Sequence, residues 1–495
     1  MMLELGCLAG DCRRGRQVLP LGFALVLLLL GGESLRGLSA GTQVELPGEA
    51  GSSGLSPRVV LEVEEDVYSF RPANNGAGPM WCRGSTCIVR MGDRVFASGL
   101  ETIPDVQPLN NCRWLLFARE DQGEWYLVAT DPAGRTREPC PLVALPPGRV
   151  LLSGNPTLTG PEARAGPARP EVWVFAADRP KDQPVRIFPV WDGEPPFTEH
   201  SYRSFTADGF RGEWILFQNI GYTHAEWSFC DAEGVFRAGR LSWPIGHEYP
   251  KPQPIRICYP TVALRDRAVY FCGVSDILEP YPEWRAYKRE LTGQDWDYDF
   301  RRLFYTWCED ITKGEFQPWV EISSRDKTAG WITPCDLWVE ETGRVHILWT
   351  ERAIDERLRP KFFPEEKQWY ELRWGVISAG KLERLTVLLR AEEGGAKEIP
   401  GFARFHITPN GRLFAIYYVY GRNQEGKPVA ENRLVELYPN GGFSSPSVIP
   451  LEHPFDSFFT ATPRAGCQPD FRLDLLGTSP RKGNVIRYAR LRIEP

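Results

Sequence analysis

Apolar and polar positions after residue 80 repeat one phrase: a short apolar strand, a turn, and a second strand that ends in aromatic or β-branched residues. The phrase recurs at spacings of roughly 55–75 residues, which fits one four-stranded propeller blade with its loops. Asp-Gly, Asn-Gly and Gly-Arg turns join the segments, and no long stretch places apolar residues at helical spacing. Seven copies begin near Ser85, Leu151, Ser204, Tyr259, Asp336, Arg404 and Phe459.

This pattern predicts an all-β chain that forms a single β-propeller of seven four-stranded blades. The second copy contains the insert PTLTGPEARAGPARP, so its hairpin is inferred from position and six blades remain an alternative. The predicted outer strands lie between the copies, at residues 114–119, 124–130, 226–230, 303–307, 370–377, 433–438 and 486–493. A chain of 495 residues is long for one domain, but a radially repeated fold reaches this size as a single unit.

The amino-terminal 40 residues have a different character. Arg13, Arg14 and Arg16 precede an apolar run over residues 18–30, and small residues then lead to Ala40. This is the pattern of a secretory signal peptide, with an apolar core too short for a comfortable membrane span. We therefore predict a signal peptide at 1–40, a disordered linker at 41–57 and a propeller domain at 58–495. The expected location is secreted or periplasmic, with no membrane span after cleavage.

Charge and cysteine content narrow the function classes further. The net charge is −6 and scattered, so the chain lacks the basic surface that nucleic-acid binding needs. Ten cysteines follow the predicted signal, an even number that suits an oxidising compartment, and either the pair Cys82 and Cys87 or the pair Cys258 and Cys272 could close locally. No CxxC motif occurs, so we predict no metal site, and the sequence identifies no cofactor.

Candidate chemistry concentrates around the third copy. His200 lies just before its first strand and His224 just after its second, and those two positions are neighbours at one end of a hairpin. The next copy begins at Tyr259, which Arg256 precedes. Two histidines, a tyrosine and nearby arginines can neutralise a uronate carboxylate, remove the adjacent C5 proton and protonate the departing O4. The constellation therefore predicts β-elimination on an acidic polysaccharide.

The run from His200 through TADGFRGEWILFQNIGYTH to His224, followed by CYPTVALRDRAVYF through Tyr259, resembles the BNR-repeat propeller family that includes ulvan-type polysaccharide lyases. The match is concentrated in residues 195–275. The resemblance implies acid/base roles for His200 and Tyr259 and carboxylate neutralisation with His224. Those lyases place an arginine where this chain reads Cys272-Gly273-Val274-Ser275.

Without that arginine, Arg203, Arg256 or Arg285 is expected to contact the substrate, and Asp336 and His406, at the starts of later inner strands, are expected to line the same funnel. Two alternatives stay open. A sialidase-like glycoside hydrolase would need two opposed carboxylates, and the candidates are Asp276, Glu279, Asp310 and Asp336. A non-catalytic propeller would bind a glycan or a protein, since a fold alone implies no activity.

Overall fold

Seven antiparallel sheets of four strands each form the body of the molecule in the computed structural model, which describes residues 54–200 and 202–495. The all-β, seven-bladed propeller predicted from the repeats is therefore confirmed. The predicted signal peptide (1–40) and the linker (41–57), except for its last four residues, lie outside the described residues.

The strands follow one another blade by blade along the chain, except that the amino-terminal strand belongs to the last blade. Those of the amino-terminal segment and the first three blades are β1 (Val59–Ser69), β2 (Ile88–Met91), β3 (Arg94–Thr102), β4 (Cys112–Arg119), β5 (Trp125–Thr130), β6 (Leu142–Leu145), β7 (Arg149–Gly154), β8 (Glu171–Ala176), β9 (Val185–Ile187), β10 (Arg203–Asp208), β11 (Glu213–Ile220), β12 (His224–Cys230) and β13 (Phe236–Ser242). Those that follow are β14 (Ile245–Gly246), β15 (Gln253–Pro254), β16 (Ile257–Arg265), β17 (Ala268–Ser275), β18 (Ile277–Leu278), β19 (Tyr298–Asp299), β20 (Arg302–Cys308), β21 (Val320–Ser324), β22 (Trp331–Val339), β23 (Val345–Arg352), β24 (Trp369–Ser378), β25 (Lys381–Glu392), β26 (Lys397–Ile407), β27 (Leu413–Arg422), β28 (Pro428–Leu437), β29 (Ser447–Val448), β30 (Ser457–Thr460), β31 (Arg472–Thr478) and β32 (Val485–Ile493).

Blades 1 to 6 are built from β2–β5, β6–β9, β10–β13, β16–β17–β20–β21, β22–β25 and β26–β29. The first strand of each blade is innermost, and it contacts the first strand of the next blade around the whole ring. Inner strands are buried on both faces, as in β10, where all six residues are buried. Apolar clusters fill the spaces between neighbouring blades, so the core is a set of sheet-to-sheet interfaces.

The two ends of the chain close the ring within one blade. Blade 7 has the strand order β30, β31, β32 and β1, so the amino-terminal strand Val59–Ser69 supplies its outermost strand. β1 pairs with β32 in an antiparallel register that runs from Val59 opposite Ile493 to Ser69 opposite Val485. This pairing ties residue 59 to residue 493 and removes the open edge of the propeller.

Blade 2 differs from its sequence prediction. The predicted second copy, from Leu151, corresponds to β7 and β8, which are the second and third strands of the blade. The inner strand is Leu142–Leu145, four buried residues that the Pro146-Pro147-Gly148 turn joins to β7. The insert at 156–170 lies between β7 and β8. Because the inner strand has only four residues, its apolar run is not distinct in the sequence from that of β7, and the prediction took β7 as the first strand of the blade.

Two helices interrupt the sheet pattern, α1 (Pro282–Thr292) within blade 4 and α2 (Arg359–Phe362) within blade 5, and a single 3₁₀ turn spans Asp326–Thr328. α1 begins with a proline at its first position and ends at Gly293, whose φ of 71° provides the left-handed cap. Across the described residues, no helix is long and apolar enough to cross a membrane.

Candidate active site at the propeller mouth

One end of the central axis is covered by the segment that precedes β2. The guanidinium of Arg404, from blade 6, donates to the carbonyl of Arg83 at 2.7 Å. Arg464, from blade 7, donates to the carbonyl of Gly84 at 2.8 Å. A Cβ at Gly84 would lie 2.1 Å from the carbonyl oxygen of Pro260 in blade 4, so only glycine fits this approach. The segment thus spans the axis; we call this end, where the inner strands begin, the mouth.

Aromatic side chains form a continuous row across the mouth. The row runs from Trp331 to Phe300, Tyr259, Tyr202 and His200, with successive ring centroids 4.6, 6.1, 5.4 and 5.3 Å apart. Its members come from blades 3, 4 and 5 and their connecting segments. The structure therefore brings two of the predicted catalytic residues, His200 and Tyr259, into contact with one ring, that of Tyr202.

Tyr259 is held in an uncommon backbone conformation. Its φ is 47°, in the left-handed region that bulky residues rarely adopt, and it lies in the bulge between Cys258 and Thr261 in the pairing with β17. Strained residues of this kind cluster at functional sites. Burial raises the pKa of the Tyr259 phenol, and the neighbouring Cys258 adds to the effect. The hydroxyl is therefore protonated near neutral pH and can donate a hydrogen bond.

His200 has one ring nitrogen in contact with charged groups. Its Nδ1 lies 3.3 Å from the Oε1 of Glu138 and also contacts the guanidinium of Arg137. Glu138 favours the tautomer with a proton on Nδ1, which leaves Nε2 as a base, whereas Arg137 favours the opposite tautomer. The side chain is 34 % exposed, and its Nε2 makes no hydrogen bond to any described residue. His200 can therefore exchange a proton with a ligand in the mouth.

His224 lies at the same end of blade 3 but has other neighbours. Its Nε2 is 3.0 Å from the Oε1 of Glu226 and its Nδ1 is 2.7 Å from the hydroxyl of Thr223. Arg240 binds the same Glu226 oxygen at 3.0 Å. Burial lowers the pKa of His224, and the Arg240 charge lowers it further. The ring contacts neither His200 nor Tyr259, so the structure does not assemble the predicted histidine pair.

Two of the predicted substrate-binding arginines are near the mouth and already engaged. Arg203 is buried and donates to two backbone carbonyls of blade 2 at 3.1 and 2.6 Å. Arg256 is also buried and pairs with Asp276 at 2.6 Å, with the ring of Tyr222 4.0 Å from its guanidinium carbon. Arg256 also packs against the aromatic row, with its guanidinium carbon 5.5 Å from the ring centroid of Tyr202.

Arg285, the third predicted arginine, lies on α1. It is exposed, and its guanidinium donates to the carbonyl of Asp295 at 3.3 Å, at the end of the same helical insertion. The structure places this side chain on the insertion and records no contact between it and the residues of the mouth.

Asp336 and His406 are both fully enclosed. Asp336 accepts hydrogen bonds from the Nε of Arg464 at 2.8 Å and from the backbone N–H of Phe405 at 2.9 Å. His406 pairs through Nε2 with the carbonyl of Asp470 at 2.8 Å, and burial lowers the pKa of its imidazole. These contacts hold adjacent blades together and leave no group directed to a ligand.

The carboxylates considered for hydrolysis are also occupied. Glu279 receives two bonds from Arg301, both at 2.9 Å, and a third from Lys288 at 2.9 Å. Asp310 accepts from the hydroxyl of Thr312 at 2.7 Å and from its backbone N–H at 3.0 Å. Asp276 and Asp336 are the arginine-paired residues described above.

Arg83 is the functional candidate that sequence reasoning missed. Its side chain is exposed, its guanidinium carbon lies 5.7 Å from the ring centroid of Tyr259, and it forms no ion pair with any described residue. It precedes the inner strand of blade 1 as His200 precedes that of blade 3. The shared position could have identified it.

A groove of about 700 Å³ adjoins the mouth on the side of blades 5 and 6. Its lining includes Arg83, Trp331, Arg352, Tyr370, Tyr420 and Asp456. The volume falls in the ~300–1,000 Å³ range of small-molecule sites. Arg83 lines both this groove and the small aromatic pocket at Tyr259, so the two spaces are neighbours at that residue.

The ten cysteines between residues 82 and 467 carry free thiols. The sulfur atoms of Cys82 and Cys87 are 3.4 Å apart beside the axial segment. Cys258 faces Val274 and Cys272 faces Thr261, so the second predicted local pair is out of register. Among residues 54–200 and 202–495, no cluster of His, Cys, Asp and Glu side chains is arranged to hold a metal ion.

No protein-family model matches the chain, and no curated protein matches it. Three solved structures illustrate what it resembles. A Dyadobacter fermentans protein of unknown function is 10% identical over 88% of this chain and 99% of its own, with a TM-score of 0.42. An α-L-arabinofuranosidase from Fusarium graminearum is 10% identical over 83% and 98%, with a TM-score of 0.42. A variant of the Synechocystis apocarotenoid oxygenase is 11% identical over 88% and 94%, with a TM-score of 0.39.

The similarity concerns the arrangement of blades and assigns no activity. The resemblance to BNR-repeat lyases stays a prediction.

Proposed function

We propose that this chain is an exported, carbohydrate-active propeller that binds an acidic polysaccharide at the mouth and cleaves it by β-elimination. The observation that carries the proposal is Arg83, an exposed guanidinium without an ion-pair partner among the described residues, beside the protonated hydroxyl of Tyr259. His200, in the same aromatic row, adds a ring nitrogen, Nε2, that makes no hydrogen bond to any described residue. Together they supply a cation, an acid and a base.

The first requirement of the reaction is to neutralise the uronate carboxylate, because its negative charge opposes loss of the C5 proton. Arg83 is suited to this step, since a guanidinium binds a carboxylate through two parallel hydrogen bonds. It takes the role that the sequence resemblance gave to His224, whose Nε2 is occupied by Glu226.

The second requirement is proton transfer on both sides of the bond that breaks. His200, with Nδ1 donating to Glu138, removes the C5 proton through Nε2. Tyr259 donates its phenolic proton to O4 as the C4–O4 bond breaks, and the electrons of the C5–H bond form the C4–C5 double bond. The products are an unsaturated uronate and a new chain end that carries the transferred proton.

A glycoside hydrolase is less well supported by the same site. That reaction needs an acid and an opposed carboxylate. Asp456 is the groove carboxylate that has no basic partner among the described residues, and a single free carboxylate does not make the pair.

A non-catalytic glycan-binding propeller fits the exposed aromatic rings equally well, so the experiment must separate binding from cleavage.

The test is to incubate purified protein with a panel of uronate polysaccharides and follow the ultraviolet absorbance of the new double bond. Wild type is compared with Arg83→Ala, His200→Ala and Tyr259→Phe. We expect the rate to fall about 10²–10⁴-fold on loss of the acid or base. Arg179→Ala is the matched control, since Arg179 pairs with Asp178 and Asp182 on an exposed turn of blade 2 and with no other described residue. Binding without any absorbance change in wild type would leave a glycan-binding propeller.

A further inference from the structure

Arg352 is a second arginine without an acidic partner, and it lies in the groove beside the mouth. It is the last residue of β23, and its guanidinium carbon is 5.8 Å from the ring centroid of Trp331. Its Nε–H is buried and has no hydrogen-bond acceptor among the described atoms. No described carboxylate pairs with the guanidinium group. A partly buried cation with unused donors favours an anion as its partner.

The other charges along this wall are matched among themselves. Arg357 pairs with Asp355 at 2.6 Å and with Asp297 at 2.9 Å. Glu351 is buried and pairs with Arg325 at 2.9 Å. Lys288 also lies 3.6 Å from both Asp297 and Asp355, so each of these carboxylates has a basic partner.

Arg83 and Arg352 are the arginines of the groove lining that have no acidic partner among the described residues. Asp456 is the lining carboxylate without a described basic partner, and it accepts a hydrogen bond from the hydroxyl of Thr478 at 3.0 Å. The lining holds three arginines and five carboxylates in all, so it carries no excess of positive charge. The two unpaired guanidinium groups, through directed hydrogen bonds, are what suits the groove to an anionic ligand.

Aromatic surface accompanies Arg352 on two sides. Trp331 is 38% exposed and Tyr420 is 41% exposed, and the indole N–H of Trp331 donates to the hydroxyl of Thr333 at 3.1 Å, which fixes the ring. Phe300 packs against Trp331 and leads back to Tyr259 through the aromatic row. A sugar ring can stack on such faces while its charged group meets a guanidinium.

We propose that Arg352, with Trp331 and Tyr420, forms a second anion-binding subsite that holds another charged sugar unit of the same acidic polysaccharide. This inference rests on the proposed function, because it extends the polymer from Arg83 along the aromatic row into the groove. The ligand is thereby an oligosaccharide with at least two charged units. Its charge is a carboxylate or a sulfate, since both suit a guanidinium.

The test measures oligosaccharide affinity calorimetrically in a His200→Ala background, where no cleavage disturbs the titration. The probes are uronate oligosaccharides of increasing length, sulfated oligosaccharides of the same lengths, and carboxyl-reduced uronate oligosaccharides. We expect Arg352→Ala to weaken the longer anionic ligands about tenfold or more and to leave the disaccharide unchanged. Carboxyl-reduced ligands should bind wild-type and variant grooves alike. If the affinity loss of Arg352→Ala grows with length in the uronate series, the anion is a carboxylate. If it does so in the sulfated series, the anion is a sulfate.

Two comparisons make the result decisive. Arg352→Lys keeps the charge and should recover part of the affinity, and Arg179→Ala, at the opposite end of blade 2, should change nothing. Equal affinity of Arg352→Ala and its parent for every length would overturn the subsite, while eliminative cleavage by wild type would keep the proposed function. If wild type neither cleaves nor binds any anionic oligosaccharide, both are overturned.

Discussion

The two halves of the mouth both contain polar side chains close to the central axis, but these side chains have different partners. On the side of blades 5 to 7, Asp336, Arg404 and Arg464 are buried and bound to one another or to carbonyls. On the side of blades 1, 3 and 4, Arg83, His200 and Tyr259 keep polar atoms that no described residue satisfies. A position close to the start of an inner strand is therefore not enough to make a residue a functional candidate. The better criterion is a polar group that is accessible and has no partner among the described residues.

We call the side of Asp336, Arg404 and Arg464 the closed half of the mouth and the side of Arg83, His200 and Tyr259 the open half. The closed half has a structural role. Arg404 and Arg464 reach across the axis to the carbonyls of Arg83 and Gly84. Asp336 balances both guanidinium groups, at 3.8 Å from Arg404 and 2.8 Å from Arg464. The closed half therefore holds in place the segment from which the open half presents Arg83.

The largest expected effect is in the closed half. Asp336→Ala leaves two buried guanidinium groups without their carboxylate, which costs about 3–5 kcal/mol in the free energy of unfolding. Denaturant unfolding measures this loss. Asp178→Ala, at a side chain that is 75% exposed, should stay within about 0.5 kcal/mol of wild type. A stable Asp336→Ala protein that has lost glycan binding would move Asp336 into the functional site.

A buried histidine of blade 5, His346, makes the stability of the fold depend on pH. His346 is buried, accepts from the indole N–H of Trp374 at 3.0 Å and donates to Glu340 at 2.7 Å. Burial lowers the pKa of His346 to about 4. Because the unfolded pKa is ~6.5, the unfolded chain takes up this proton first, and stability is lost as pH falls from about 6.5 towards 4.

The loss amounts to roughly 3 kcal/mol for this group. We expect His346→Gln to show a shallower decline of the unfolding free energy than wild type over that pH window. His247→Gln, at an exposed turn, serves as the matched variant and should decline as wild type does. Parallel curves for wild type and His346→Gln would show that the imidazole is not held neutral.

A smaller effect is expected where the two halves meet. Gly84→Ala would place a Cβ 2.1 Å from the carbonyl oxygen of Pro260, and relief of that clash costs about 1–3 kcal/mol. The shift also separates Arg83 from Tyr259, so product formation should fall along with the thermal midpoint. Gly78→Ala in the same segment meets nothing within 4 Å and is the control. Equal behaviour of the two variants would argue against the close approach across the axis.

The strands were predictable because their signal is local. Inner and second strands are buried on both faces, so they read as short apolar runs bounded by turns. Blade 2 was misplaced by one strand because Leu142–Leu145 is short and its turn is Pro-Pro-Gly. Helix α1 was missed because Lys288 is its single buried residue, which leaves no apolar stripe.

The candidate site was only partly predictable, since it depends on which polar groups meet in space. Hairpin geometry predicted a pair of His200 and His224, and Tyr259 was predicted because it begins the next copy; the structure brings His200 and Tyr259 into one aromatic row. The pairing of Arg256 with Asp276, and of His224 with Glu226, involves contacts that spacing does not reveal. Arg83 reaches Tyr259 from blade 1 across the axis, a contact between residues far apart in the chain.

The most direct test of elimination at the open half is the mass of the products formed in oxygen-labelled water. Wild type is incubated with the uronate polysaccharide that gives the strongest absorbance change, and the oligosaccharides are analysed by mass spectrometry. Elimination predicts products with an unsaturated end, lighter by one water than hydrolysis products, and without label introduced by bond cleavage; His200→Ala should abolish them. Saturated products that carry the label at the new end would contradict the account.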